Sequence, residues 1–166
     1  MTQFIPFKYH NSFQTSWPLV RDFFKSVREN EGSELPVYAA GFCWGGKHVV
    51  NLGFGEDTAS NGKHLLNAGF TGHPSFLKIP SEIEKINIPT SFALGDKDMV
   101  VKLPQIKQIQ QVFEDGAKSE KGEVKVYEGA GHGFCVRADL FLDDANKHAG
   151  EAEDQALAWF EKHQIV

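Results

Sequence analysis

The chain has 166 residues, 41% of them hydrophobic and 23% charged, with a net charge of −5. That is the length of one domain, 1–166, with apolar content enough for a core; a disordered acidic chain is excluded, and the acidic surplus argues against nucleic-acid or membrane partners. No apolar run approaches the roughly 20 residues that span a bilayer, Met1–His10 lacks a signal peptide's apolar stretch, and two cysteines suit a reduced, cytoplasmic protein with free thiols.

In chain order, Ser16–Asn30 predicts a helix with Val20, Phe23, Phe24 and Val27 on one face, Ser16 as its cap and Pro18 in its first turn. Pro36–Phe42 predicts a strand that runs into Cys43, followed by a helix from Lys47 to about Leu52. Two further apolar runs follow: Leu66–Phe70 leads into Thr71-Gly72-His73-Pro74, and Pro89–Leu94 leads into Gly95. Pro104–Asp115 predicts a helix with Ile106, Ile109, Val112 and Phe113 inward, closed by Gly116. A fourth strand, Glu123–Tyr127, leads into Gly129-Ala130-Gly131-His132. The last helix, Glu151–Gln164, turns Ala156, Leu157 and Phe160 inward and carries acidic residues in its first turn, where the helix dipole favours them. Short buried strands alternating with helices predict a mostly parallel sheet in a three-layer helix–sheet–helix α/β fold. Ligands and reactive groups in such sheets gather beyond the carboxyl ends of the strands.

Gly41-Phe42-Cys43-Trp44-Gly45-Gly46 stands between a predicted strand and a predicted helix. This G-x-C-x-G-G pattern is the cysteine version of the nucleophile elbow. The turn is tight, so small residues are needed around it, which accounts for Gly41 and Gly45. Cys43 projects from a strained position at a helix start whose positive end favours a thiolate, and the backbone N–H of Trp44 is the candidate oxyanion donor. The plain alternative, a buried cysteine acting as a small hydrophobe, loses weight in this glycine context.

Leu94-Gly95-Asp96-Lys97-Asp98 ends a strand in two carboxylates. Asp98, further into the loop, is the better candidate to orient an imidazole, while Asp96 braces the turn. His132 lies between Gly131 and Gly133 after the last strand and is the candidate base. Nucleophile, acid, histidine is the chain order of α/β-hydrolase triads. Ser75 and Ser91 have no elbow around them. Cys135 lies near His132, but no second close pair such as C-x-x-C accompanies it, so no metal site is expected. No phosphate-binding glycine motif occurs, and no cofactor is expected.

These motifs resemble the dienelactone hydrolase family, particularly its fungal members, over nearly the whole chain. The residues that carry the resemblance are Gly41-Phe42-Cys43-Trp44-Gly45-Gly46, Gly95-Asp96-Lys97-Asp98 and Gly131-His132-Gly133-Phe134. The resemblance implies an α/β-hydrolase fold and a hydrolase that opens a small lactone, ester or thioester through an acyl-enzyme on Cys43, with Asp98 and His132 completing the triad. It implies a substrate-carboxylate role for Arg137, and a loop near the pocket at His73, which reads as structural rather than catalytic. Phe42, Trp44 and Phe134 suggest an apolar pocket. Family members carry several strands ahead of the helix placed at Ser16, so the resemblance implies an N-terminally truncated member. Two expectations follow: an exposed sheet edge at Leu35–Phe42, which offers a route to self-association, and a weakened oxyanion hole. A weakly active or non-catalytic remnant acting as a binding module is the competing reading, and a redox thiol at Cys43 paired with Cys135 is a third.

Overall fold

Ser12, not Ser16, starts the first helix in the computed structural model, which describes residues 11–114, 118–137 and 143–164. Helix α1 spans Phe13–Glu29, and the Ser12 hydroxyl accepts from the Thr15 N–H at 3.3 Å. Ser16 is instead buried one turn inside. Its hydroxyl donates to the Ser12 carbonyl at 3.0 Å and lies 3.1 Å from His48 Nε2. Two serines one turn apart offer the same cap chemistry, and a tertiary partner draws the one that faces the protein inward. Pro18 consequently sits in the second turn, on the exposed side, where its ring clears the core. The inward stripe, partly buried, is Trp17, Val20, Phe24 and Val27, and Phe23 points to solvent, 61% exposed. Arg28, buried at the end of this helix, donates to the carbonyls of His64, Gly32 and Leu35 and to Asn67 Oδ1. Those bonds fix the approach to the sheet.

Four strands follow: β1 (Tyr38–Phe42), β2 (Ala68–Gly72), β3 (Thr90–Gly95) and β4 (Gly122–Tyr127). They lie in the order β1-β2-β3-β4, and every neighbouring pair is parallel. Among the described residues β1 is an edge strand, as expected from the sequence. The remaining helices are α2 (Trp44–Leu52), α3 (Leu103–Glu114) and α4 (Asp143–Lys162). Helix α2 begins directly after Cys43, and α4 begins well before the expected Glu151. The predicted end of α3 at Asp115 and Gly116 lies outside the described residues, as does Met1–His10.

Side-chain alternation along the strands makes the three layers. On one face Ala39, Phe92 and Leu94 pack against Val49 and Val50 of α2 and Ile106, Ile109 and Phe113 of α3. On the other, Phe70, Ala93 and Tyr127 meet Ala152, Ala156 and Phe160 of α4. Leu157 is 55% exposed, so the inward stripe of α4 runs through Ala152, Ala156, Trp159 and Phe160 instead. Gln155, buried in the same face, accepts from the Tyr127 hydroxyl at 2.8 Å and donates to Ser91 Oγ at 2.8 Å. This is the three-layer α/β-hydrolase architecture, with every strand's carboxyl end at one rim.

Candidate active site

Cys43 occupies the turn between β1 and α2 with φ 49° and ψ −118°, a conformation that costs a non-glycine residue on the order of 1–3 kcal/mol. Close packing holds it there. A Cβ on Gly41 would stand 2.6 Å from the Gly45 carbonyl oxygen, and one on Gly46 would stand 2.8 Å from Pro74 Cβ. Gly45, expected to be the second crowded position, has open space around it. The tight contact falls at Gly46 because α2 packs there against the loop after β2. Trp44 is the first residue of α2, so its backbone N–H lies at the positive end of the helix.

The loops after the other strands bring their polar groups to the same place. After β3, Asp98 is buried; its Oδ1 accepts from the Val100 N–H at 2.7 Å, and its Oδ2 lies 2.9 Å from His132 Nδ1. Asp96 does not reach the imidazole: its Oδ1 accepts from the Gly129 N–H at 2.7 Å and braces the loop after β4. That loop turns at Gly133, φ 97°, whose carbonyl accepts from the Arg137 N–H at 2.8 Å. The turn brings Arg137 back over Cys43, where Nη2 donates to Sγ at 3.3 Å.

The loop after β2 contributes more than its sequence suggests. His73, φ 38° and 0% exposed, places Nδ1 3.2 Å from Cys43 Sγ. Its backbone N–H donates to the Ala93 carbonyl at 2.9 Å, so β3 fixes it. Burial, reinforced by the nearby His132, holds the His73 imidazole down to about 4, which keeps it uncharged at neutral pH. Its Nε2 is buried without a protein partner among the described residues, and the imidazole centroid lies 5.9 Å from that of the Phe42 ring and 5.7 Å from that of Phe134. Ser75, two residues on, donates its backbone N–H to the Cys43 carbonyl at 2.8 Å and sets Oγ 3.4 Å from His132 Nε2.

Cys43, Trp44, His132 and Arg137 therefore lie on the wall of one cavity of about 680 Å³, within the size range of small-molecule sites. Phe42, Phe134 and His73, expected from the sequence to be pocket residues, are not on that wall. The two phenylalanines pack around His73, and His73 touches the sulfur from below. The wall also includes Phe13, Lys47, Phe76 and Val100, which carry no site signal in the sequence, and Ser75, which the sequence offers only as a serine without an elbow. Phe13 and Lys47 come from helices whose sequence signal lies in their core faces, and their contributions follow from how α1 lies across α2. Lys47 is buried in an ion pair with Glu82 and stands 5.0 Å from the Phe13 ring centroid. Arg137 is thus the cation on this wall without a carboxylate contact among the described residues. Cys135 packs in the core under α4, and burial beside Cys43 pushes its thiol up to about 12. A thiol so hard to ionise is a poor partner for disulfide exchange.

Residues 13–164 match the sequence profile of the Dienelactone hydrolase family. Hydrolase tropI of Talaromyces stipitatus is 27% identical over 131 residues, covering 76% of this chain and 46% of that protein. An uncharacterized AIM2 family protein of Schizosaccharomyces pombe is 27% identical over 152 residues, covering 87% and 54%. The chain spans about half the length of these curated relatives. Among solved structures, an α/β hydrolase enzyme from a Medee basin deep-sea metagenome library superposes with a TM-score of 0.68 at 15% identity, over 92% of this chain and 66% of that one. A dienelactone hydrolase-like promiscuous phosphotriesterase from metagenomic libraries superposes with a TM-score of 0.60 at 15% identity, over 99% and 67%. With its fold, its elbow and a match over nearly its whole length in agreement, the chain belongs to the dienelactone hydrolase family.

Proposed function

We propose that the chain is a carboxylic-ester hydrolase that opens a small lactone, ester or thioester through Cys43, His132 and Asp98. The observation that carries this reading is the buried Asp98 carboxylate bonded at 2.9 Å to His132 Nδ1, with a ring nitrogen of the same His132 within 4.8 Å of a sulfur held at a strained elbow. Asp98 fixes the tautomer of His132 and stabilises the imidazolium that forms when Nε2 takes the thiol proton. Sγ turns from His73 and Arg137 toward the substrate carbonyl and attacks it. The oxyanion develops against the helix start at Trp44, the field best aligned to receive it. Collapse expels the alkoxide or enolate, which His132 protonates; in a lactone it stays tethered. Water, deprotonated by His132, then cleaves the thioester and restores the thiol.

Arg137, released from the sulfur, supplies a positive charge at the cavity wall for a carboxylate on the substrate. The aromatic walls at Phe13, Trp44 and Phe76 favour an apolar or aromatic body for the same molecule. A binding module that does not turn over is the second reading, since Cys43 is engaged by His73 and Arg137 at rest. Hydrolysis of a small activated ester by the purified chain, beside Cys43→Ser, separates the two. Cys43-dependent turnover supports the hydrolase, and identical background rates with both proteins folded support the binding module.

A further inference from the structure

Three ligand atoms of a kind that divalent metals favour lie together at the edge of the cavity, two of them, from Cys43 and His132, on its wall. Cys43 Sγ, a His73 ring nitrogen and a His132 ring nitrogen all lie within 4.8 Å of one another. The Sγ to His73 Nδ1 separation is 3.2 Å. Zinc takes thiolate sulfur at about 2.3 Å and imidazole nitrogen at about 2.0–2.1 Å in a tetrahedron, so two such ligands sit roughly 3.5 Å apart. The sulfur and His73 are already close to that spacing, and His132, 23% exposed, needs only a small swing. Its Nδ1 is bonded to the Asp98 carboxylate, the carboxylate–histidine arrangement that orients and strengthens imidazole ligands. Cys43 and His132 line the cavity, so a cation they hold is within reach of a further ligand from solvent. The three residues come from loops after three different strands, so no C-x-x-C or H-x-x-x-H spacing announces them, which is why the sequence carried no metal expectation.

We propose that Cys43, His73 and His132 form a latent site for a thiophilic divalent cation, zinc by preference, whose occupancy silences the nucleophile. Binding exchanges the thiol proton, released to solvent, for a sulfur–metal bond, with no change of oxidation state. His73 contributes Nδ1 and His132 contributes Nε2. Arg137 opposes the cation, because its guanidinium donates to the same sulfur at 3.3 Å. It is exposed and long, and it leaves the sulfur when the metal arrives. The silencing, though not the binding, rests on Cys43 being the nucleophile.

Cobalt(II) tests the site without any turnover. Titration of the whole chain is expected to give one equivalent bound, with tetrahedral d–d bands and a sulfur-to-cobalt charge-transfer band, both bleached by zinc. Cys43→Ser is expected to lose the charge-transfer band, and His132→Ala the tetrahedral bands. Asp98→Asn is expected to weaken binding about 10–100-fold, as loss of a supporting carboxylate does, and Arg137→Gln to tighten it. His73→Gln repeats the ligand test at a buried position, with circular dichroism reporting the fold; if that variant unfolds, the partly exposed His132 decides the test. A charge-transfer band that survives Cys43→Ser, an octahedral spectrum, or unchanged affinity in His132→Ala overturns the site. Ester hydrolysis in chelator separates this result from the hydrolase reading: activity without metal binding overturns only the metal site, and binding without activity overturns only the hydrolase.

Discussion

Cys43 and His73 are joined through Sγ and Nδ1 at 3.2 Å, while the partner of His132 Nε2 is Ser75 Oγ at 3.4 Å. The nucleophile and the proposed base each rest against a residue of the same loop after β2. That loop is fastened to both sides of the site, by the His73 N–H to Ala93 and by the Ser75 N–H to the Cys43 carbonyl. The proposed hydrolysis would have the sulfur exchange one imidazole for the other.

Removing the base should show in rate rather than in fold, because His132 is partly exposed and packs loosely compared with His73. His132→Ala is expected to lower kcat/KM for a small activated ester by on the order of 10²–10⁴-fold. Asp98→Asn should act in the same direction. Urea denaturation of His132→Ala should remain close to the parent, and an unchanged kcat/KM would remove His132 from the mechanism.

His73 carries a pH signature in stability. A histidine kept neutral by the fold binds fewer protons than it does unfolded, between about 4 and 6.5. Stability from this group is therefore fully present above the unfolded value and is lost as pH falls toward about 4, by on the order of 3 kcal/mol at most. Burial lowers His48 and His163 as well, so acidification should destabilise through several imidazoles. Urea midpoints measured from about pH 7 to about pH 4.5 should fall for the parent, and fall less steeply for His73→Phe, whose ring suits the pocket made by Phe42 and Phe134.

The two glycines after Trp44 should behave oppositely. Gly45 lies in the first turn of α2 with open space where a Cβ would go, so Gly45→Ala should be neutral or stabilise by up to about 1 kcal/mol. Gly46→Ala drives a methyl into Thr71 and Pro74 and should cost about 1–3 kcal/mol. Because Pro74 lies between His73 and Ser75, the second change should also slow hydrolysis. Thermal melts of the two variants check the pair; similar Tm values would contradict the packing described at the elbow.

Lys47 and Glu82 form an ion pair with side chains only 9% and 13% exposed. Truncating one member strands the other, so Lys47→Ala should destabilise by about 3–5 kcal/mol. Lys47→Met keeps most of the packing under Phe13 and, combined with Glu82→Gln, should recover much of that loss. Chemical denaturation of the single and double variants gives the coupling directly.

The four strands and the order of Cys43, Asp98 and His132 were legible because they are local patterns: apolar runs containing or leading into glycine, with the candidate polar residues just beyond them. The resemblance offered Arg137 only as a partner for a substrate carboxylate; its return to the Cys43 sulfur depends on the turn at Gly133 and was not legible. What stayed hidden depends on neighbours far away in sequence. Ser12 rather than Ser16 caps α1 because His48 takes the Ser16 hydroxyl. Gly46 rather than Gly45 is crowded because the loop after β2 presses on α2. Phe23 and Leu157 fall one helical step outside stripes whose centres were set by α2 and the sheet. His73 reads as an ordinary loop histidine until β1 and β2 are paired, when Phe42 stands opposite Gly72 and the residues that follow, Cys43 and His73, become neighbours.

The most direct test of catalysis through Cys43 is trapping of the acyl-enzyme. A small activated ester mixed with His132→Ala, which should accept the acyl group slowly and release it more slowly still, is followed by intact-mass and peptide mass spectrometry. The predicted result is one acyl group on the peptide that carries Cys43, and none on Cys43→Ser. Turnover of the parent chain with the acyl group on another residue, or a rate that Cys43→Ser retains in full, would contradict it.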